Sequence, residues 1–151
     1  MVKMKKVLIV YFSLSGNTQK MAEYMAEGVR ISGQQVEVKK LAAIKDANDL
    51  AGYDGYILGC PTYHRDMTEP MKKFLFLVRK ANPEGKLAGA FGSYTHDGNA
   101  PQMVYDTMQY VFKMTPFELG AFNMLESKID TSEGLHACQD YGRVFGETLG
   151  S

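Results

Sequence analysis

The chain is expected to fold as an α/β three-layer sandwich, a five-stranded parallel sheet with helices on both faces, in strand order 2-1-3-4-5. Three observations predict this. Strand-like and helix-like stretches alternate from one end of the sequence to the other, which is the pattern of parallel strands joined by crossover helices. The first, third and fourth strand-like stretches are almost continuously apolar or small, so both of their faces are covered. The second and fifth, Gln35-Val36-Glu37-Val38-Lys39 and the stretch with Phe117-Glu118-Leu119, alternate or carry charge as edge strands do. With those two at the edges and right-handed crossovers, the order follows.

Each element has its own signal. The first strand is about Lys5 to Phe12, with the apolar run Val7-Leu8-Ile9-Val10-Tyr11-Phe12. A helix from about Asn17 to Ser32 buries Met21, Ala22, Met25, Ala26 and Val29 on one stripe and turns Lys20, Glu23, Glu27 and Arg30 to water. Gly33 is its stop. The second strand is about Gln35 to Leu41, followed by a loosely helical stretch, Lys45 to Ala51. The third strand is about Gly55 to Cys60. Pro70 opens a helix that reaches about Ala81. The fourth strand is about Leu87 to Gly92 and the next helix about Ala100 to Lys113. The fifth strand is about Phe117 to Phe122, and the last helix covers about Ser132 to Leu149.

Composition narrows the function classes. A length of 151 residues without repeat, low-complexity tract or linker suits one domain over residues 1–151. Seventeen cationic side chains balance seventeen acidic ones, so the basic footprint of a nucleic-acid binder is missing. No stretch is long enough to span a bilayer. The lysines near Met1 lead into a short apolar run without a small-residue cleavage site, so no secretory signal is expected. Cys60 and Cys138 stand outside any metal or redox spacing, which points to a reduced, cytoplasmic setting.

In a sheet of this order, ligands sit beyond the carboxyl ends of the central strands, where the winding reverses. The segment Ser13-Leu14-Ser15-Gly16-Asn17-Thr18 lies there, between a buried strand and a helix start. Free N–H groups and the positive end of the helix dipole converge at such a point. Ser13, Ser15, Asn17 and Thr18 add neutral donors, and Gly16 permits close approach of the backbone. No lysine follows Gly16 and no G-x-G-x-x-G is present, so neither a nucleoside triphosphate nor a dinucleotide is indicated. The loop suits one terminal phosphate monoester. An ordinary Ser/Gly turn with an N-cap is the simpler alternative.

Two further segments reach the same edge: Pro61-Thr62-Tyr63-His64-Arg65-Asp66-Met67 and Ser93-Tyr94-Thr95-His96-Asp97-Gly98-Asn99. Tyr63 and Tyr94 can each present a flat face to a planar ring. Backbone groups around Thr62 and from Gly92 to Thr95 can hydrogen-bond the ring's edge. Solvated side chains are the simpler reading of His64 and His96. His136 is expected to have no role, Cys60 to be a small buried residue, and the methionines to be core.

Together the three segments resemble those of a flavodoxin, over essentially the whole chain. Ser13-x-Ser15-Gly16-Asn17-Thr18 is similar to the family's hydroxyl-rich phosphate loop, Gly59-Cys60-Pro61-Thr62-Tyr63 to its second flavin loop, and Phe91-Gly92-Ser93-Tyr94 to its third. The module found in flavo-diiron proteins is the nearest in character, and the short connection from the fifth strand resembles the short-chain type. The resemblance implies FMN as cofactor, held by Ser13, Leu14, Ser15, Gly16, Asn17, Thr18, Pro61, Thr62, Tyr63, His64, Gly92, Ser93, Tyr94 and Gly98. It departs from the family in being neutral rather than acidic, and in lacking a glycine between Thr62 and Met67.

The implied function is electron transfer between redox proteins, a reductase or ferredoxin-type donor and an acceptor. Neither a catalytic residue nor a metal site is expected, and neither nucleic acid nor membrane is a partner. The alternative is an FMN-dependent NAD(P)H:quinone reductase of the same fold, an enzyme that commonly carries extra segments around a substrate pocket. A phospho-receiver domain is disfavoured, because Ser13-Leu14-Ser15 stands where its acidic cluster would be.

Overall fold

A computed structural model describes residues 3–151; Met1 and Val2, part of the segment scanned for a signal sequence, lie outside the described residues. The strands β1 (Lys6–Tyr11), β2 (Gln35–Lys40), β3 (Gly55–Gly59), β6 (Leu87–Tyr94) and β7 (Thr115–Leu125) form one parallel sheet in the order β2-β1-β3-β6-β7. This is the predicted 2-1-3-4-5 arrangement, since β4 (Thr62–Tyr63) and β5 (Asp66–Met67) make only a small antiparallel hairpin of their own. The chain alternates apolar faces as a doubly wound sheet requires. Leu8, Val10 and Leu58 face one core under α2 (Glu69–Ala81) and α3 (Ala100–Asp106), while Val7, Ile9 and Ile57 face a second under α1 (Asn17–Ile31) and α5 (Ser132–Gly150).

Several boundaries differ from the sequence-based expectation, each for a visible reason. The stretch after β2 forms two short 3₁₀ turns, Leu41–Ala43 and Ala47–Leu50, the second closed by an Asp46–Asp49 capping box. The helix from Ala100 widens over Thr107–Val111 into a π turn, with the Phe112 N–H reaching the Thr107 carbonyl, and ends where Lys113 turns left-handed at φ 57°. A short helix, α4 (Glu126–Ile129), separates β7 from α5 and has no counterpart in the expectation.

The largest difference is the length of β6 and β7. Ala88 pairs with Pro116 but Ala90 pairs with Ala121, so β7 bulges before the ladder resumes. Gly120, at φ 69°, supplies the left-handed turn. The buried Tyr141 hydroxyl fills the gap: it accepts from the Ala90 N–H at 3.2 Å and donates to the Gly120 carbonyl at 2.6 Å. The bulge re-phases β7 so that Phe122 to Leu125 run beside Phe91 to Tyr94, carrying both strands to the edge where the loops converge. Among the described residues, no helix is long and apolar enough to cross a membrane.

Candidate functional site

At the carboxyl edge of β1 the chain leaves the sheet through Phe12 and enters α1 at Gly16, whose φ of 90° only glycine adopts easily. No side chain caps this helix; the Ser13 hydroxyl instead accepts from the Gly16 N–H at 3.0 Å and braces the turn from within. The first-turn N–H groups of Asn17, Thr18 and Gln19 therefore point out of the helix without an intrahelical acceptor. A Cβ on Gly16 would meet no atom within 4 Å, so the space in front of the turn is open. The ordinary N-cap alternative is not what forms here. Leu14 and Ser15 stand exposed at the lip, Ser13 and Asn17 are half-buried, and Thr18 is buried with its Oγ1 3.2 Å from the buried Ser93 Oγ.

The second segment is a two-residue hairpin. His64 and Arg65 sit at its tip with φ 50° and 61°. This left-handed pair is the geometry of a type I′ turn, usually given to Asn-Gly, and it costs non-glycine residues about 1–2 kcal/mol each. Three contacts hold the hairpin. Arg65 Nε donates to Asp97 at 3.2 Å, Lys72 Nζ lies 2.6 Å from Asp66, and the Thr62 Oγ1 accepts from the Ala100 N–H at 3.0 Å, which caps α3. The missing glycine is thus replaced by strained backbone under external restraint.

The third segment is a correction to the expected boundaries. Gly92, Ser93 and Tyr94 belong to strand β6, and the loop proper begins at Thr95. A Cβ on Gly92 would fall 2.1 Å from the Cys60 carbonyl oxygen, so this glycine is there to let two strand ends touch. Gly98 is fixed by the Asn123 side-chain amide, which donates to its carbonyl at 2.6 Å from the extended part of β7. Asn123, Asp97 and Lys72 are supports that sequence reasoning missed, since their partners lie 25, 32 and 6 residues away respectively.

Two clefts flank the hairpin. One, of about 350 Å³, runs between Thr62 to Arg65 and Thr95 to Asp97. The other, of about 380 Å³, lies between the hairpin and Phe12 with Leu14. Tyr63 and His64 line both, whereas Tyr94, half-buried at its strand end, lines neither. Pro61 is buried beneath the hairpin. Burial, and then the charge of Glu126, hold the Tyr63 phenol above its ordinary range. Thr68 supplies the one buried side-chain oxygen without a partner among the described residues, at the wall of the second cleft. Burial pushes both thiols up to about 12, so Cys60 and Cys138 stay protonated and offer no nucleophile.

The donor set fits a phosphate monoester joined to a flat heterocycle. Open N–H groups at a helix start would suit the phosphate and a cleft with an aromatic wall would suit the ring, and an unpartnered hydroxyl stands in the wall of one cleft. Fold and site together define a doubly wound α/β protein whose ligand edge lies at the winding reversal.

The chain belongs to the flavodoxin family: the model described as a flavodoxin domain matches residues 8–133. Proteins of that family bind FMN. The solved structure of a flavodoxin from the domain Archaea superposes with a TM-score of 0.87 at 30% identity, covering 95% of this chain and 98% of that one. An NAD(P)H dehydrogenase (quinone) of Acidithiobacillus ferrooxidans is 38% identical over 110 residues, which are 60% of this chain and 55% of that protein. A flavodoxin of Clostridium saccharobutylicum is 37% identical over 89 residues, 58% of this chain and 55% of that protein. The chain thus spans about half the length of these two curated relatives.

Proposed function

We propose that this chain is an FMN-dependent electron carrier working between redox proteins, as a single domain over residues 1–151. The observation that carries the reading is the uncapped start of α1 behind Gly16, joined through Thr18 to Ser93 near the end of β6, just before the loop that walls the cleft at residues 95–97. In this reading the backbone of Ser13 to Thr18, with the Ser15 and Asn17 side chains, holds the phosphate. Tyr63 and His64 border the ring with Pro61 behind them. Thr62, Gly92, Ser93 and Gly98 position the cleft walls through the contacts described above, and Tyr94 ends β6 where the loop to the cleft begins. FMN supplies one- and two-electron redox chemistry; the protein's part is to bind, orient and partly shield it. The reduced thiols Cys60 and Cys138 support a cytoplasmic location.

The test is the visible spectrum of the purified protein, followed by titration of the apoprotein with FMN and with riboflavin. A flavin spectrum with strong preference for FMN is expected; a colourless protein that takes up neither would overturn the reading. A second reading, an FMN-dependent NAD(P)H:quinone reductase, is favoured by the 38% identity to the dehydrogenase named above. Rapid saturable turnover with NADH or NADPH and a quinone would put it first. Reduction only through a separate reductase or ferredoxin-type donor would put the carrier first.

A further inference from the structure

The zero net charge of the chain conceals a separation between its two helix layers. Helix α2 carries Lys72, Lys73, Arg79 and Lys80 against Glu69 alone, a balance of +3. On the opposite layer α5 carries Glu133, Asp140 and Glu147 against Arg143. Lys72 is held by Asp66 and Glu69, but Lys73, Arg79 and Lys80 make no ion pair among the described residues. Amid these free cations stands Phe76, 73% exposed in mid-helix. It forms a ridge between two grooves. The larger, of about 640 Å³, lies toward Leu41 and Ile44 and is edged by Lys73 and Lys80. The smaller, of about 330 Å³, lies toward Val111 and Phe112 and is edged by Arg79. Neither groove is the ligand cleft, although the larger shares Glu69 and Pro70 with its wall and the smaller shares Met67 and Lys72; Phe76 itself lies roughly 10 Å along the helix axis from Pro70.

We propose that the outer face of α2 is a docking surface for an acidic protein segment that sets apolar side chains in the grooves beside Phe76. Unpaired cations around an exposed aromatic match carboxylates around an apolar anchor. The grooves are concave and side-chain sized, and α2 is fixed by its buried Met71, Phe74, Leu75 and Val78, so it cannot roll onto a lipid surface. The acidic face of α5 on a second copy fits poorly. The acids of α5 are partly consumed by Arg143, and α5 exposes no large apolar side chain to meet Phe76. Phe76, Arg79 and Lys80 lie outside the loops at residues 13–18, 62–67 and 95–98, and of those loops only Met67 reaches a groove, so docking there leaves residues 13–18 and 95–98 open.

The test is amide-shift mapping and calorimetry on the full chain, with a synthetic glutamate-rich peptide bearing Leu and Phe at helical spacing. A matched peptide with lysine in place of glutamate is the control. Binding of the acidic peptide alone is expected, weakening with salt, with shifts confined to α2, Met67 and residues 41–44 and 107–112. Phe76→Ala, a change at an exposed site that leaves the core intact, should weaken it at least about tenfold. Arg79→Glu with Lys80→Glu should abolish it and admit the lysine peptide instead. Shifts centred on α1, α5 or the loops at residues 13–18 and 95–98 would overturn the proposal. So would affinity indifferent to Phe76, self-association lost in Phe76→Ala, or adsorption to anionic vesicles lost in the charge-reversed variant.

Discussion

The loop at residues 13–18 comes from one stretch of chain passing from β1 into α1, whereas the cleft at residues 62–65 and 95–97 is walled by the hairpin and the loop after β6, with the extension of β7 supporting that loop. The first needs little help: one glycine in a left-handed turn and one internal bond from Ser13 to Gly16 shape it. The second is held from outside, by Asp97 on Arg65, Lys72 on Asp66, the Ala100 N–H on Thr62 and Asn123 on Gly98. An anion can be held by backbone that one helix start already offers. A ring edge needs distant segments brought to a common place, and strain is tolerated there because those segments over-determine it.

Five measurements test this division between the two regions. The largest effect is expected from the phosphate. Its charge-assisted hydrogen bonds are worth about 1.5–3 kcal/mol each, so riboflavin should bind at least about a hundredfold more weakly than FMN in apoprotein titrations. Equal affinities would remove the phosphate role from residues 13–18. Next come the two glycines. Gly92→Ala places a methyl against the Cys60 carbonyl and should destabilise the fold by about 1–3 kcal/mol in urea unfolding. Gly16→Ala meets open space and should cost only its backbone strain, about 1–2 kcal/mol. A neutral Gly92→Ala would mean that the strand ends can separate freely.

Stacking comes third. Tyr63→Ala should weaken flavin binding by about 0.5–1.5 kcal/mol, and Tyr94→Ala by less, because only Tyr63 lines the clefts. A reversed order would place the ring against the end of β6. Fourth, His64→Gly relieves one left-handed residue and should stabilise the apoprotein by up to about 1 kcal/mol in thermal unfolding; a loss of stability would show that the turn is unstrained. The smallest effect concerns salt. The charges at the cleft rim pair with one another, Arg65 with Asp97 and Lys72 with Asp66 and Glu69, and the Arg65 side chain is 80% exposed. Such pairs contribute about 0–1 kcal/mol. Electron-transfer rates through this rim should therefore change only modestly across a stopped-flow salt series. A steep fall would show that a partner reads the basic face of α2 during transfer.

Much of this protein could be read from its residues in order. The parallel sheet, the edge strands β2 and β7 and the turn through Gly16 into α1 are written in local patterns: continuous apolar runs, alternation, and hydroxyl residues before a helix. These signals act over a few neighbouring residues, so a linear reading finds them. What it could not reach were contacts between residues far apart in the chain. The β7 bulge is filled by the Tyr141 hydroxyl, 21 residues beyond Gly120, and past it β6 runs on beside β7 as far as Tyr94. The hairpin tip at His64 and Arg65 lacks the glycine that marks such turns, and Asp97, which steadies it, is 32 residues away. The counts of charge, by themselves, describe a neutral molecule. Only folding places the cations of α2 around Phe76 on one layer and the acids of α5 on the other, because net charge is a sum along the chain while a surface field depends on where each charge is carried.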